Sequence, residues 1–303
     1  MSKVLKKLGG ERIASAFRRA VSGDPKGLPQ WANEMSIGGD VGFYGPNSDV
    51  WKVHGSLATL VGGVRALLMQ AAYPAALAGV SQHSAYDTDP LGRLERTTRW
   101  LTITSFGSTE AIAKEARRVN ALHSHVTGEY RDGNNSTTRY EASQSRHLLW
   151  VHCAFTDSFL NAYRELGRDE DRSVVNYVNE WSKSAEPLGL TETPRSDEEL
   201  HEVLESFLNN EIGEIAATKR IVHFIIHPPF SKAAMPFYRV LCNAAIATMD
   251  TRVLAVLGQK KKSRIWLKIV KPMLRILQSL LGNESPSQTI ARHRIARLIS
   301  THE

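Results

Sequence analysis

Cysteine is scarce in this chain: only Cys153 and Cys242 occur, and they have no paired spacing. A disulfide framework and a cysteine zinc site are therefore excluded, and a reducing compartment fits best. Also missing is an uninterrupted run of about 18 apolar residues, the length that a membrane-spanning helix needs. Because the first thirty residues contain no long apolar core either, we expect no signal peptide, no transmembrane helix and a cytoplasmic location.

Several signatures of catalysis and nucleotide binding are absent as well. No glycine-rich fingerprint follows a strand-like run, which argues against a dinucleotide-binding fold. The sequence contains no H-E-x-x-H, C-x-x-C-H or G-x-S-x-G. A zincin, a covalently attached haem and a hydrolase nucleophile elbow are therefore unsupported. Period-two alternation of apolar residues is rare, which leaves helices as the main expected element.

Positive charge, by contrast, is in surplus: the formal net charge is +7 at pH 7. Basic residues concentrate near both ends, at Lys3, Lys6, Lys7, Arg18 and Arg19 and again at residues 260–262. Such a surplus suits nucleic acid, an anionic cofactor or an acidic membrane surface. Since no nucleic-acid-binding motif is recognisable, we expect no specific nucleic acid partner. The basic terminal helices leave peripheral membrane contact open.

Apolar residues recur at steps of three and four, which predicts an all-α protein with a single helical domain. We assign residues 1–48 to an N-terminal basic helix and an irregular segment, and residues 49–303 to the helical domain. Residues 129–139 are expected to form a polar loop. Helices are expected at 10–22, 49–72, 91–104, 109–127, 143–166, 174–181, 198–212, 214–227, 234–248, 264–281 and 287–299.

Two glycines and one amphipathic segment have more than one interpretation. Gly62 and Gly63 weaken the helix at 49–72, and are tolerated where another helix or a flat ligand approaches the backbone closely. The helix at 264–281 places isoleucine and leucine beside Lys268, Lys271 and Arg275. An interfacial helix fits this pattern, but we favour a C-terminal helix packed on the core with a solvated basic face.

Residues 93–128 contain the most informative pattern. Ser108 is a suitable N-cap, and a helical face then follows, made of Ile112, Ala116, Val119, His123 and Val126. Gly128 is the expected terminator of this helix. His125 falls off the apolar face, so His123 is the histidine expected to point toward the protein.

A lone histidine on an apolar face is more often a hydrogen-bonded core residue than a metal ligand. His152 has a similar placement, on a face shared with Leu148, Phe155, Phe159 and Ala162. A buried neutral imidazole can bind a metal through one nitrogen and hydrogen-bond through the other. One such ligand in an apolar pocket, with Arg93 nearby for carboxylates, is compatible with haem. His223 and His227 have i, i+4 spacing, but no carboxylate lies between them, and we favour a structural role.

A series of short motifs carries a family resemblance. The motifs are Ala66-Leu67-Leu68-Met69-Gln70 with Pro74, Gly79-Val80, His83-Ser84, Arg93-x-x-x-Thr97, Phe106-Gly107, His123-x-x-Val126-x-Gly128, Tyr140-x-Ala142 and Trp150-Val151-His152. In this order and spacing the chain resembles the MpaB-type oxygenases, which include the latex-clearing rubber oxygenases. The resemblance covers residues 63–159.

The resemblance implies an all-α fold with a non-covalent haem b in a pocket between core helices. His123 matches the proximal iron ligand, and Arg93 and Thr97 match a polar pair near the haem. Arg96 stands where some rubber oxygenases have a lysine that closes the distal iron position. Since arginine stays protonated, we expect a distal site that is open or filled by another group. The acidic base proposed for rubber cleavage has no clear counterpart, so polyisoprene is not the expected substrate.

The leading hypothesis is a haem b-dependent oxygenase that uses dioxygen on an apolar, isoprenoid or lipid-like small molecule. His123 would hold the iron, with Arg93, Arg96, Thr97 and Phe155 around the cofactor. Catalytic roles fall to Arg93, Thr97 and His152, the last as a distal hydrogen-bond donor, while Phe155 and Phe159 position the substrate. The alternative is a haem-binding or sensing protein without turnover, suggested by Arg96 and the missing acidic base. The oligomeric state, the product and the electron source stay open.

Overall fold

The computed structural model describes residues 15, 24, 26–84, 90–133, 136–167 and 173–300, with the backbone alone for residues 90–95 and 299–300. The predicted helix at 10–22 lies outside the described residues except at position 15. In the described part the chain is predominantly helical, as the sequence predicts. It also contains one two-stranded sheet that was not predicted.

The elements follow one another in chain order, and short 3-10 turns lie at Gln30–Ser36 and Glu186–Leu188. The first half contains α1 Asp49–His54, α2 Thr59–Ala71, α3 Pro74–His83, α4 Pro90–Phe106, α5 Thr109–His123, β1 Thr127–Arg131, β2 Thr137–Glu141 and α6 Ser145–Leu166. The second half contains α7 Tyr177–Ser182, α8 Asp197–Asn210, α9 Thr218–Ile226, α10 Met235–Thr248, α11 Thr251–Val256, α12 Ile265–Leu281 and α13 Pro286–Ser300.

Helix α2 lies at the centre of the molecule. It packs along α6 and is also covered by α9 and α10, while α8 and α12 lie against α6 and α10. One large apolar core extends from Trp31 to Ala291, which is why these helices form one domain. The buried guanidinium of Arg65 on α2 joins the central pair, because it lies 2.5 Å from Asp157 and donates to Ser158 Oγ at 2.9 Å.

The predicted helix at 49–72 is wrong as a single element, because it is divided into α1 and α2. The division occurs where the C-terminal helix approaches: a Cβ on Gly55 would lie 2.1 Å from Gln288 Nε2. The intervening turn has its own hydrogen bonds, since Ser56 Oγ accepts from the amide of Ala58 at 3.1 Å and the Thr59 hydroxyl donates to the Ser56 carbonyl at 2.7 Å.

The prediction that Gly128 terminates α5 and that residues 129–139 form a loop is also wrong. Helix α5 ends at His123, and the residues that follow form an antiparallel hairpin in which Gly128 pairs with Tyr140. The strands are polar on their outer side, where Arg139 Nε donates to Glu129 at 2.8 Å. The two strands are short and mostly polar, so their sequence shows no alternation of apolar residues from which a strand could be predicted. The short helix α11 was missed as well, because its six residues make fewer than two turns and are too few to show a helical repeat. Helix α7 begins three residues later than expected.

The sequence gives two alternative reasons for the glycine pair in α2, and the structure separates them for Gly62. A Cβ on Gly62 would lie 2.8 Å from Phe159 Cδ1 and 3.1 Å from the Ser158 carbonyl oxygen of α6. A Cβ on Gly63 would meet no atom within 4 Å. Gly62 is therefore required by close approach of two helices, whereas nothing at Gly63 requires a glycine.

We expect Gly62→Ala to destabilise the protein by about 1–3 kcal/mol, because α2 and α6 must separate to admit the methyl group. Gly63→Ala is the matched control and should be neutral or stabilising by up to about 1 kcal/mol, since alanine is the better helix former. Urea unfolding curves of the two variants measure the difference. Equal free energies of unfolding for both variants would contradict the packing argument.

No described helix is long and apolar enough by itself to cross a membrane. Helices α2 and α3 together have the required length and composition, but the chain bends by 99° between them.

Candidate functional site

Helices α4 and α5 form the hairpin that carries most of the predicted site. Ser108 caps α5 as predicted, since its hydroxyl accepts from the amide of Ala111 at 3.2 Å. The two helices are joined by an ion pair in which Arg99 Nε donates to Glu115 Oε2 at 2.8 Å. Arg118 donates to the same carboxylate from the next turn, with Nε 3.0 Å from Oε2. Glu115 is fully buried, so these two arginines balance its charge inside the protein.

The structure also places the predicted residues along this hairpin. The backbone of Arg93 lies near the start of α4 and His123 lies at the end of α5. Both positions are therefore at the ends of the two helices that are remote from the turn joining them, whereas Arg96 and Thr97 lie further along α4.

The side chains of the predicted α4 residues are described only in part. Arg96 is exposed and Thr97 is half-buried, and both have polar contacts. The side chain of Arg93 lies outside the described residues. The cofactor-binding roles of these three residues stay predictions.

His123 is the last residue of α5 and is half-buried, whereas His125 is exposed. Periodicity therefore predicted the orientation of the two histidines correctly. Burial lowers the pKa of His123, which keeps its imidazole neutral at neutral pH. Within the described part of the chain, no group hydrogen-bonds to its ring. A neutral ring with free nitrogens is the form of histidine that binds a metal.

The backbone after His123 is held by the C-terminal end of α3. Gln82 Nε2 donates to the Glu129 carbonyl at 2.8 Å, and His83 Nε2 donates to the Thr127 carbonyl at 2.9 Å. The Tyr140 hydroxyl donates to Gln82 Oε1 at 2.9 Å. Gly128 is needed there, because a Cβ would lie 2.5 Å from Gln82 Oε1. Of these residues, His83, Gly128 and Tyr140 belong to the motifs of the family resemblance, and in this fold they help to anchor the chain that follows His123.

His152 lies in the middle of α6, on the predicted face with Leu148, Phe155 and Phe159, which are all buried. Burial lowers the pKa of His152 to about 4, so the ring is neutral at neutral pH. Its Nε2 atom is buried and has no hydrogen-bond partner in the described part of the chain. Buried polar atoms are almost always paired, so an orphaned one calls for an explanation such as a bound group or water.

The 3-10 turn at Glu186–Leu188 and its flanks connect the surroundings of the two histidines. Asn120, one turn before His123, donates from Nδ2 to the Pro187 carbonyl at 3.0 Å. Leu148, one turn before His152, packs with Ala185 and Leu190 in a small apolar cluster. Both histidines therefore lie one helical turn from the same segment, residues 185–190. This segment was not singled out in the sequence, where only its proline marked a loop.

A third buried histidine, His54, was missed by sequence reasoning. Because the Ser105 hydroxyl donates to the Leu101 carbonyl at 2.6 Å, Ser105 Oγ accepts from His54 Nδ1, also at 2.6 Å. The Tyr177 hydroxyl then donates to Nε2 at 2.8 Å. Burial lowers the pKa of His54 to about 3. Both ring nitrogens are occupied, so His54 is a packed core residue rather than a ligand.

His147 on α6 is an intermediate case, since its Nδ1 lies 2.9 Å from the Tyr73 hydroxyl while its buried Nε2 has no partner in the described residues. The rings of His223 and His227 are exposed and stack with centroids 4.7 Å apart. The described residues contain no group of three or more His, Cys, Asp or Glu side chains placed to hold a metal ion. A haem that one histidine would hold needs no such group of side chains.

The residues present fit a haem. His123 is neutral, half-buried and without a ring partner among the described residues. His152 provides a buried, neutral and unpaired nitrogen on a second helix. Phe155 and Phe159, with ring centroids 5.7 Å apart, add apolar surface beside it.

Comparison with known proteins gives one match. A family model described as ER-bound oxygenase mpaB/B'/Rubber oxygenase, catalytic domain, matches residues 51–277. No curated protein and no solved structure matches the chain. The matched region begins in α1 and ends in α12, so it contains all the elements described above that surround His123 and His152. This protein is therefore a member of the MpaB/rubber oxygenase catalytic-domain family, a family of oxygenases.

Proposed function

We propose that this protein is a haem b-dependent oxygenase that acts on an apolar small molecule of isoprenoid or lipid-like character. The observation that carries the proposal is His123, a neutral half-buried histidine without a ring partner among the described residues, within an oxygenase-family fold. When bound, haem would supply the one-electron and dioxygen chemistry that amino-acid side chains lack.

In this proposal the two histidines have different tasks. His123 holds the cofactor through one ring nitrogen, and the anchored backbone from Thr127 to Glu129 fixes the end of α5 that presents it. His152 is neutral, and its Nε2 is free to donate a hydrogen bond to a polar atom or to hold a proton there.

The surface next to His152 supports the substrate class that we propose. Phe155 and Phe159 are buried aromatic residues, and their rings cannot satisfy a polar substrate. An apolar molecule loses no hydrogen bonds on binding beside them. Arg93, Arg96 and Thr97 are proposed as the polar side of the site, where an arginine would pair with a haem propionate.

An absorption spectrum tests the cofactor. Protein that is freshly purified or reconstituted with haem should show a Soret band that shifts on addition of dithionite and carbon monoxide. The shift requires a coordination position that carbon monoxide can reach. A protein that takes up no haem after reconstitution would contradict the proposal.

Dioxygen consumption tests turnover. The haem-loaded protein should consume dioxygen when offered terpenoids or unsaturated lipids, with product formed in proportion. Haem binding without consumption across that panel would contradict the oxygenase proposal and favour a binding or sensing protein.

A further inference from the structure

Helix α12 has two apolar faces, although a helix on a protein surface usually has one. Leu267, Val270, Leu274 and Leu277 form the first face and are buried against the core. This confirms the packed interpretation of the helix for half of its surface. The second face contains Ile265, Ile269, Ile276 and Leu280, which are 56%, 43%, 64% and 36% exposed.

The exposed residues lie in one line. They recur at steps of four, seven and four, which is the spacing of a single stripe along a helix. Apolar residues that are scattered singly over a surface are ordinary, whereas a contiguous row on one helix indicates an interaction surface. We call this row, Ile265, Ile269, Ile276 and Leu280, the exposed stripe.

The charge around the exposed stripe has one sign. Between residues 259 and 283 the sequence contains seven lysines and arginines and no aspartate or glutamate. Of these, Lys260, Lys262 and Lys268 are exposed. Two acidic groups lie nearby: Glu165 pairs with Arg264 at 2.6 Å and offsets one of the seven charges, and Glu284 pairs with Arg292, outside this segment, at 2.6 Å. The stripe is therefore flanked by a cationic edge.

We propose that α12 docks this protein onto the surface of an anionic lipid bilayer. The exposed stripe enters the boundary between headgroups and acyl chains, and the lysines meet the lipid phosphates. Isoleucine and leucine beside a row of lysines, without acidic residues, is the composition that binds anionic membranes in this manner. The long lysine stems can lie along the apolar boundary while their ammonium groups stay in water. This inference does not depend on haem or on turnover.

Co-sedimentation of the full-length protein with vesicles tests the docking. Binding is expected to vesicles of phosphatidylcholine and phosphatidylglycerol in equal amounts, to weaken with added salt, and to be much lower with phosphatidylcholine alone. Two double variants should each lower the partition coefficient by roughly tenfold or more. One combines Ile269→Gln with Ile276→Gln, and the other combines Lys262→Gln with Lys268→Gln. All four side chains are exposed, so the fold should be unaffected.

Val175→Gln is the matched control, because Val175 is 76% exposed and lies outside α12. It should bind like the unchanged protein. Full binding by the isoleucine variant would overturn the proposal and would assign any affinity to other basic segments. A dimer in light scattering that the isoleucine variant dissociates, without vesicle binding by the unchanged protein, would also overturn it, since the stripe would then join two copies of this chain.

Discussion

Replacing His123 by alanine is expected to abolish haem retention, with complete loss of the Soret band after reconstitution. The reason is that His123 is proposed as the sole protein ligand of the iron, and a haem held only by apolar contacts and propionate pairs dissociates during purification. The measurement is the ratio of Soret to protein absorbance after gel filtration. A His123→Ala variant that keeps its full haem complement would disprove the ligand assignment.

His125 provides the matched control for this variant. It lies two residues further on but is exposed, so His125→Ala should keep the Soret band at full height. A His123→Gly variant supplied with imidazole should regain the band, because the free ligand can occupy the place of the missing ring. Rescue of this kind separates a lost ligand from a misfolded protein, which free imidazole does not restore.

Replacing Glu115 by alanine is expected to lower the free energy of unfolding by roughly 3 kcal/mol. Glu115 is fully buried between Arg99 and Arg118, whose side chains are 22% and 29% exposed. Without the carboxylate, Arg118 loses this partner and Arg99 keeps its 3.3 Å contact with Glu34, so one partly desolvated guanidinium is left without its ion pair. The partial exposure of both arginines places the effect at the lower end of the usual range. Urea unfolding monitored by circular dichroism provides the measurement.

Glu202→Ala is the control for charge removal, since Glu202 is exposed on α8 and alanine is a good helix former. Its effect should stay within about 0.5 kcal/mol. Glu115→Gln should fall between the two, because the amide keeps part of the hydrogen bonding but loses the charge. A Glu115→Ala variant as stable as the control would show that the α4–α5 hairpin does not depend on this ion pair.

Arg294 is a further buried cation that the sequence did not reveal. It is 1% exposed and donates to the carbonyl groups of Met35, Asp40, Val41 and Phe106. It therefore joins α13 to the end of α4, just before the turn into α5. Helix α13 lies beyond the region matched by the family model, which ends at residue 277.

Local sequence determined most of the helices and the orientation of their faces. Ser108 caps α5 because its side chain is placed to accept from an amide three residues on, a contact that needs no tertiary partner. The half-burial of His123 follows from its place on one face of the helix, whereas His125 lies beyond the end of α5 and is exposed. The ordered short motifs were likewise sufficient to identify the family, and the match over residues 51–277 confirms it.

Only the tertiary structure decided the features that depend on distant partners. Gly128 was predicted to terminate a helix, yet it lies in a strand. A side chain at this position would collide with Gln82 and Tyr140, so the contacts around the strand require a glycine. A glutamate such as Glu115 is expected at the protein surface. It is buried here because Arg99, on another helix, pairs with its carboxylate. The sequence of α12 could not show that its leucines at 267, 274 and 277 are covered while its isoleucines stay exposed, because burial depends on which face of the helix packs against the core. Contacts within one helical turn are fixed by the local chain, whereas those between residues far apart in sequence exist only after the helices have packed.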